Sequence, residues 1–149
     1  MNLLKKVAAA AAAAAIAMVG SVTVATPALA SDVLWINQDK VLSISNARTA
    51  LSVDTPRGTV QIRYGTYNGV QYGWGRALNA PAGYTLVFEV DTNGDRIMDE
   101  GATAYLTGSS AVWTWGASTS ASSARAFRAC ILSSSQMSCS ETSSRTGWW

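Results

Sequence analysis

Tyr84-Thr85-Leu86-Val87-Phe88-Glu89-Val90 is the stretch whose reading decides the fold. Tyr84, Leu86, Phe88 and Val90 recur at every second residue, which sets them on one face of an extended chain. Val87 makes the opposite face apolar as well, so this is expected to be a central strand buried on both sides. The same alternation appears upstream, where Val60, Ile62 and Tyr64 oppose Gln61, Arg63 and Gly65, and where Val70, Tyr72 and Trp74 oppose Gln71, Gly73 and Gly75. Asn68-Gly69 between them predicts a type I′ hairpin turn, because both central positions of that turn need positive φ. Further strands are predicted over 102–107, 111–115 and 125–132, and residues 41–53 read as two short strands interrupted at Asn46-Ala47-Arg48. A segment over 136–141 is expected to pair back on the 125–132 strand. Turns fall at Pro56-Arg57-Gly58, Ala80-Pro81-Ala82-Gly83, Asn93-Gly94 and Gly108-Ser109-Ser110, and 116–123 reads as a Ser/Ala/Thr loop. The expectation is an all-β protein, a small antiparallel sandwich or barrel of about seven or eight strands.

The first thirty residues read differently. Lys5 and Lys6 precede an apolar run dominated by Ala8 to Ala15, and Ala28-Leu29-Ala30 places small residues before a cut. This order of charge, apolar run and small residues predicts a secretory signal peptide over 1–30. A retained membrane span is the competing reading, and Gly20, Ser21, Thr23, Thr26 and Pro27 dilute its second half. Cleavage leaves residues 31–149 as a single β domain, too short for two cores, with 142–149 expected to be a loose tail. No membrane span is then expected. The two cysteines, Cys130 and Cys139, predict one disulfide in an exported chain. So short a loop is worth about 2.7 kcal/mol in the chain-entropy model.

Charge and composition exclude several function classes. Two of the 11 basic residues lie in the leader, so nine remain against nine acids. That balance gives no polycationic surface for tracking nucleic acid. Histidine is absent, which removes imidazole-based acid/base catalysis, Ser-His or Cys-His nucleophiles and imidazole-ligated metals.

The polar segment Asp91-Thr92-Asn93-Gly94-Asp95-Arg96-Ile97-Met98-Asp99 places Asp91, Asn93, Asp95 and Asp99 at positions 1, 3, 5 and 9 of a calcium loop. Position 6 is Arg96 where that motif has glycine, and position 12 is Ala102 where it has a bidentate acid. The alternative is a β-hairpin with solvated acids; apart from calcium, no cofactor is expected. Glu89, Asp91, Asp99 and Glu100 are the acids that a carboxylate-dependent hydrolase would draw on, although a chain this small frames few deep clefts. With six Trp and five Tyr against two Phe, the chain is rich in rings that combine an apolar face with a polar handle. Trp74, Trp113, Trp115, Trp148 and Trp149 are the candidate binding aromatics, with core packing as the competing role for the first three. The segment bracketed by Cys130 and Cys139 offers Leu132 or Met137 as the probing residue of a rigid inhibitory loop.

Two segments carry a resemblance. Thr59-Val60-Gln61-Ile62-Arg63-Tyr64 followed by Tyr72-Gly73-Trp74-Gly75-Arg76, and Arg125-Ala126-Phe127-Arg128-Ala129-Cys130 with Cys139-Ser140, are similar to a strand pair and closing hairpin of small secreted actinobacterial β-rich proteins of unknown function. The resemblance touches about a third of residues 31–149 and implies an exported β domain with no established activity. The functional expectation is a non-enzymatic extracellular or cell-envelope-associated domain that binds a glycan, polymer or protein through exposed Trp and Tyr. A secreted protease inhibitor using 130–139 and a carboxylate-dependent hydrolase are the alternatives.

Overall fold

The computed structural model describes residues 32–149; the leader over 1–30 lies outside the described residues. Two antiparallel sheets pack face to face without closing into a barrel. The first has the order β1-β7-β4-β3-β2, built from β1 (Trp35–Ile36), β2 (Arg48–Thr55), β3 (Gly58–Tyr67), β4 (Val70–Leu78) and β7 (Ala111–Ser118). The second has the order β6-β5-β8, with β5 (Thr85–Asp91) central between β6 (Glu100–Tyr105) and β8 (Ala126–Leu132). The all-β sandwich and the central place of the 84–90 stretch are as expected.

Alternation sets the layers. Leu86, Phe88 and Val90 of β5 face Val60, Ile62 and Ala77 of the larger sheet, and Ala129 and Ile131 of β8 complete this common core. Phe88 fits because β4 has little side chain facing it. A Cβ on Gly73 would lie 2.6 Å from the Phe127 ring, closer than packing allows, so this strand needs glycine where the phenylalanines press in. The β3–β4 hairpin closes at Asn68 and Gly69 with φ of 47° and 78°, and Tyr67 pairs with Val70 across it. Both turn residues therefore have the positive φ of the predicted turn.

Four local expectations change. The first of the two strands expected over 41–53 is absent: α1 (Gln38–Leu42) forms there, capped by the Asn37 side chain accepting from the Lys40 N–H at 3.1 Å, and strand begins only with β2 at Arg48. Val41 and Ile44, three apart, turn to one side and cover Tyr72 and Trp74 on the outer face of the larger sheet. Strand β7 runs on through Gly116 to Ser118, residues expected in a loop, because β1 and β4 pair with it there. The 136–141 segment does not pair back on β8; it turns through a 3-10 helix at Cys139–Glu141. The tail over 142–149 takes that place and is not loose. Ile131 donates to Ser144 at 2.9 Å, Thr146 to Ala129 at 2.9 Å, and Phe127 and Trp149 exchange both backbone bonds. Trp149 ends stacked on Tyr64, 5.1 Å between ring centroids, so the last residue bridges the two sheets.

The Cys130–Cys139 disulfide is formed and fully buried. Beside it, Glu89 of β5 is wholly buried and accepts from Arg128 at 2.8 and 2.5 Å and from the Cys139 N–H at 2.7 Å. The segment around Cys139 is thereby fastened over the outer face of the smaller sheet by sulfur and charge, and the tail beyond it pairs along the edge strand β8 by backbone bonds. Among the described residues, no helix is long and apolar enough to cross a membrane.

Candidate functional site

The outer face of the larger sheet carries two lateral rows of side chains. Register pairs Ser52 with Gln61, Gln61 with Arg76 and Arg76 with Trp113; a neighbouring row runs Thr49, Arg63, Trp74, Gly116. Strand alternation puts all of these on the side away from the common core. Gln61 organises the first row, donating to Ser52 at 3.1 Å and accepting from Arg76 Nε at 2.8 Å. In the second row Arg63 donates to Thr49 Oγ1 at 2.5 Å.

A bulge shapes the Trp113 end. The β4–β7 register shifts between Trp74 and Arg76, so Thr114 and Trp115 both oppose Gly75. The Gly75 N–H then finds no opposite carbonyl in register and donates to the buried Thr114 hydroxyl at 3.0 Å. The extra residue leaves Trp113 half-buried against the α1 cluster and Trp115 exposed. Gln38 of α1 donates to the Trp113 carbonyl at 2.6 Å, tying the helix to the strand at this point.

Two adjoining hollows share Leu42, Ala111 and Trp113. One, of about 270 Å³, is further lined by Gln38, Asp39, Tyr105, Thr107 and Val112. The other, of about 160 Å³, is lined by Arg63, Arg76, Trp74 and the apolar side of α1. The first is an aromatic groove with neutral hydrogen-bonding groups and one carboxylate. The second is cationic. Burial holds the Arg63 guanidinium below the ordinary arginine value; burial first, and then the charge of Arg63, does the same for Arg76. Both stay protonated throughout the physiological range.

The aromatics predicted from sequence are thus distributed rather than gathered. Trp74 is buried against the α1 cluster and lines the cationic hollow. Trp113 sits between the hollows and Trp115 is 49% exposed. Trp148 lies on the other sheet with the Arg128 guanidinium 4.4 Å from its ring centroid, and Trp149 is docked on Tyr64 and Phe127. In the bracketed loop Leu132 is buried, whereas Met137 is 83% exposed.

In the acidic loop the predicted ligands Asp91, Asn93, Asp95 and Asp99 are engaged by donors of the loop itself. Asp91 accepts from the N–H groups of Asn93, Gly94 and Arg96, and the Arg96 guanidinium lies 2.8 Å from its Oδ2. Asn93 and Asp95 accept from Asp95 N–H and Ile97 N–H, and Asp99 from Thr92 N–H and Oγ1. Side-chain oxygens that a cation would need are turned to backbone donors, and a guanidinium supplies the positive charge. Among the described residues no cluster of three or more His, Cys, Asp or Glu is placed to hold a metal ion. The loop is also longer than a two-residue hairpin turn, spanning residues 92–99 between β5 and β6. Of the other candidate acids, Glu89 is held by Arg128, and Glu100 accepts from Trp35 Nε1 at 2.8 Å.

Sequence reasoning missed Arg63, Gln61, Arg76 and Tyr105 as site residues. Alternation had already set Gln61 and Arg63 on one face, but their meeting with Arg76 and Trp113 depends on the β3–β4–β7 register. Comparison with known protein families, curated proteins and solved structures finds no match to this chain.

Proposed function

We propose that this chain is an exported, non-enzymatic binding domain that holds a glycan in the groove between α1, β6 and β7. The observation that carries this reading is the hollow of about 270 Å³ in which Trp113 and the 67% exposed Tyr105 stand among Gln38, Asp39 and Thr107. Sugar rings offer an apolar C–H face to an aromatic ring and hydroxyls to amide, carboxylate and hydroxyl groups, and this lining supplies both. The hollow lies on the sandwich surface and not in a deep cleft, which favours retention of an extended polymer over chemistry on it. Pull-down with purified cell-wall polysaccharide tests the reading. Trp113→Ala and Tyr105→Ala proteins should lose most retention, while Trp148→Ala keeps it; equal retention by all three, or none by the wild type, removes the proposal.

Met137 supports a second reading as a secreted protease inhibitor. Its loop is closed by the disulfide and braced by Gln136, which accepts from Arg57 at 2.7 Å and donates to the Glu141 carbonyl at 2.7 Å. A loop held open in this way can enter a cleft with little ordering cost. Absence of inhibition across subtilisin-like and trypsin-like proteases at micromolar protein would exclude it.

A further inference from the structure

The cationic hollow beside the groove poses a separate chemical question. Arg63 and Arg76 approach each other closely enough for the charge of one to disfavour that of the other, yet neither meets a carboxylate. The ion pairs among the described residues join Arg96, Arg125 and Arg128 to Asp91, Asp32 and Glu89. Arg63 uses one donor on the Thr49 hydroxyl and Arg76 one on the Gln61 amide oxygen, and a guanidinium has five. Both acceptors are neutral. The Arg63 Nε and the Trp113 Nε1 are moreover buried with no hydrogen-bond partner in the protein, in two residues that line the same hollow. Buried donors left unpaired are costly and rare; the third among the described residues, Arg125 Nε, belongs to a guanidinium paired with Asp32, whereas these two coincide with cations that meet no carboxylate. Trp113 lines both hollows, so a group seated on the arginines is continuous with whatever lies in the aromatic groove.

We propose that the Arg63–Arg76 hollow is an anion subsite that makes the domain selective for acidic saccharides. The oxyanion of the sugar bridges the two guanidinium groups while the sugar ring rests against Trp113. This rests on the glycan reading above and adds the chemical class of the ligand. Guanidinium forks suit a planar carboxylate and also a phosphate, so a uronate and a sugar phosphate share the required chemistry. An oxyanion would relieve the mutual repulsion of the arginines and accept from donors that the protein leaves unused. Gln61 and Thr49 then act as positioning residues, holding one nitrogen of each fork so that the others are presented together.

The experiment compares an oligogalacturonate, its fully methyl-esterified form and a phosphorylated neutral oligosaccharide, each titrated against the full mature chain by calorimetry. The oligogalacturonate should bind at least about tenfold tighter than the neutral ester, a preference that weakens as salt rises. Arg63→Gln and Arg76→Gln should each lose that preference while still binding the ester. Tighter binding of the phosphorylated sugar than of the uronate supports the anion subsite and assigns its group as phosphate. Equal affinity for charged and esterified forms, or an unchanged preference in both variants, overturns the subsite and leaves the glycan reading standing. Failure of the wild type to bind any of the three overturns both. Should the glutamine variants fail to fold, the native protein still decides, because equal affinity for the oligogalacturonate and its methyl ester contradicts an anion subsite at these half-buried guanidinium groups.

Discussion

The two outer faces of the sandwich are covered in different ways. On the larger sheet the cover is α1, a helix of five residues, with the turn that follows it; the grip is apolar, Val41 and Ile44 on Tyr72 and Trp74. On the smaller sheet it is the segment around Cys139, held by the Cys130–Cys139 disulfide and the buried Glu89 that also pairs with Arg128, while the tail beyond it bonds along the edge of β8. So short a helix cannot span five strands, so beside it Ser52 stays exposed and Arg76 and Trp113 are only half-buried. On the smaller sheet β5 and β8 are covered, while Thr103 and Tyr105 of β6 stay exposed. The incomplete cover leaves side chains of the larger sheet within reach of a ligand, whereas the clamp on the smaller sheet serves rigidity.

That contrast is broken most severely at Glu89. Glu89→Ala strands the Arg128 cation and the Cys139 N–H beneath the C-terminal segment, and removing one member of a buried pair costs about 3–5 kcal/mol. Urea denaturation should show it as a lowered midpoint; a change below about 1 kcal/mol would mean that the pair is solvated in practice. The double variant Cys130→Ala/Cys139→Ala comes next, with a loss of about 2–4 kcal/mol. On the other face Ile44→Ala should cost about 2 kcal/mol by cavity formation, since its methyl fills the space above Gly65. If the covers are as different as described, the Ile44 change should weaken the aromatic groove, which α1 helps to line, whereas the two C-terminal changes should leave binding by the folded fraction untouched.

The same contrast explains what could be read from the sequence. The inner layer was legible, because Leu86, Phe88, Val90, Val60 and Ile62 carry the period-two pattern that burial between sheets imposes. Neither cover was. Val41, Leu42 and Ile44 fit a strand pattern as well as a helix turn, and it is the Asn37 cap and the site offered by Tyr72 and Trp74 that select the helix. In the tail, buried Thr142, Ser144 and Thr146 do alternate with exposed Ser143, Arg145 and Gly147, but every one of the inward residues is polar. A hydropathy pattern cannot register a strand whose inward groups are hydroxyls. The arginine pair was half legible, since alternation gave its face and only register gave its neighbours.

The smallest expected effect lies in the acidic loop at one end of the smaller sheet, and it sharpens the comparison by separating local charge from the clamp at Glu89. Burial alone would raise the Asp91 pKa, but the Arg96 guanidinium and the N–H groups of Gly94, Arg96 and Asn93 outweigh it and hold the carboxyl below its ordinary value of 3.8. A carboxyl whose folded pKa is depressed adds stability that is fully present above the unfolded pKa and disappears as pH falls through the folded one. Thermal melts should therefore decline below about pH 4 in the wild type. In Asp91→Asn, already less stable at neutral pH, that decline should be shallower. Arg96→Gly removes the guanidinium and places glycine at a position with φ of 63°, so it relaxes the backbone while taking away the counter-charge. If the guanidinium is what replaces a cation here, millimolar calcium should leave the wild-type melting temperature unchanged and raise that of Arg96→Gly. A rise in the wild type would show that Arg96 yields its place to calcium, and the loop would then join the candidate sites rather than the scaffold.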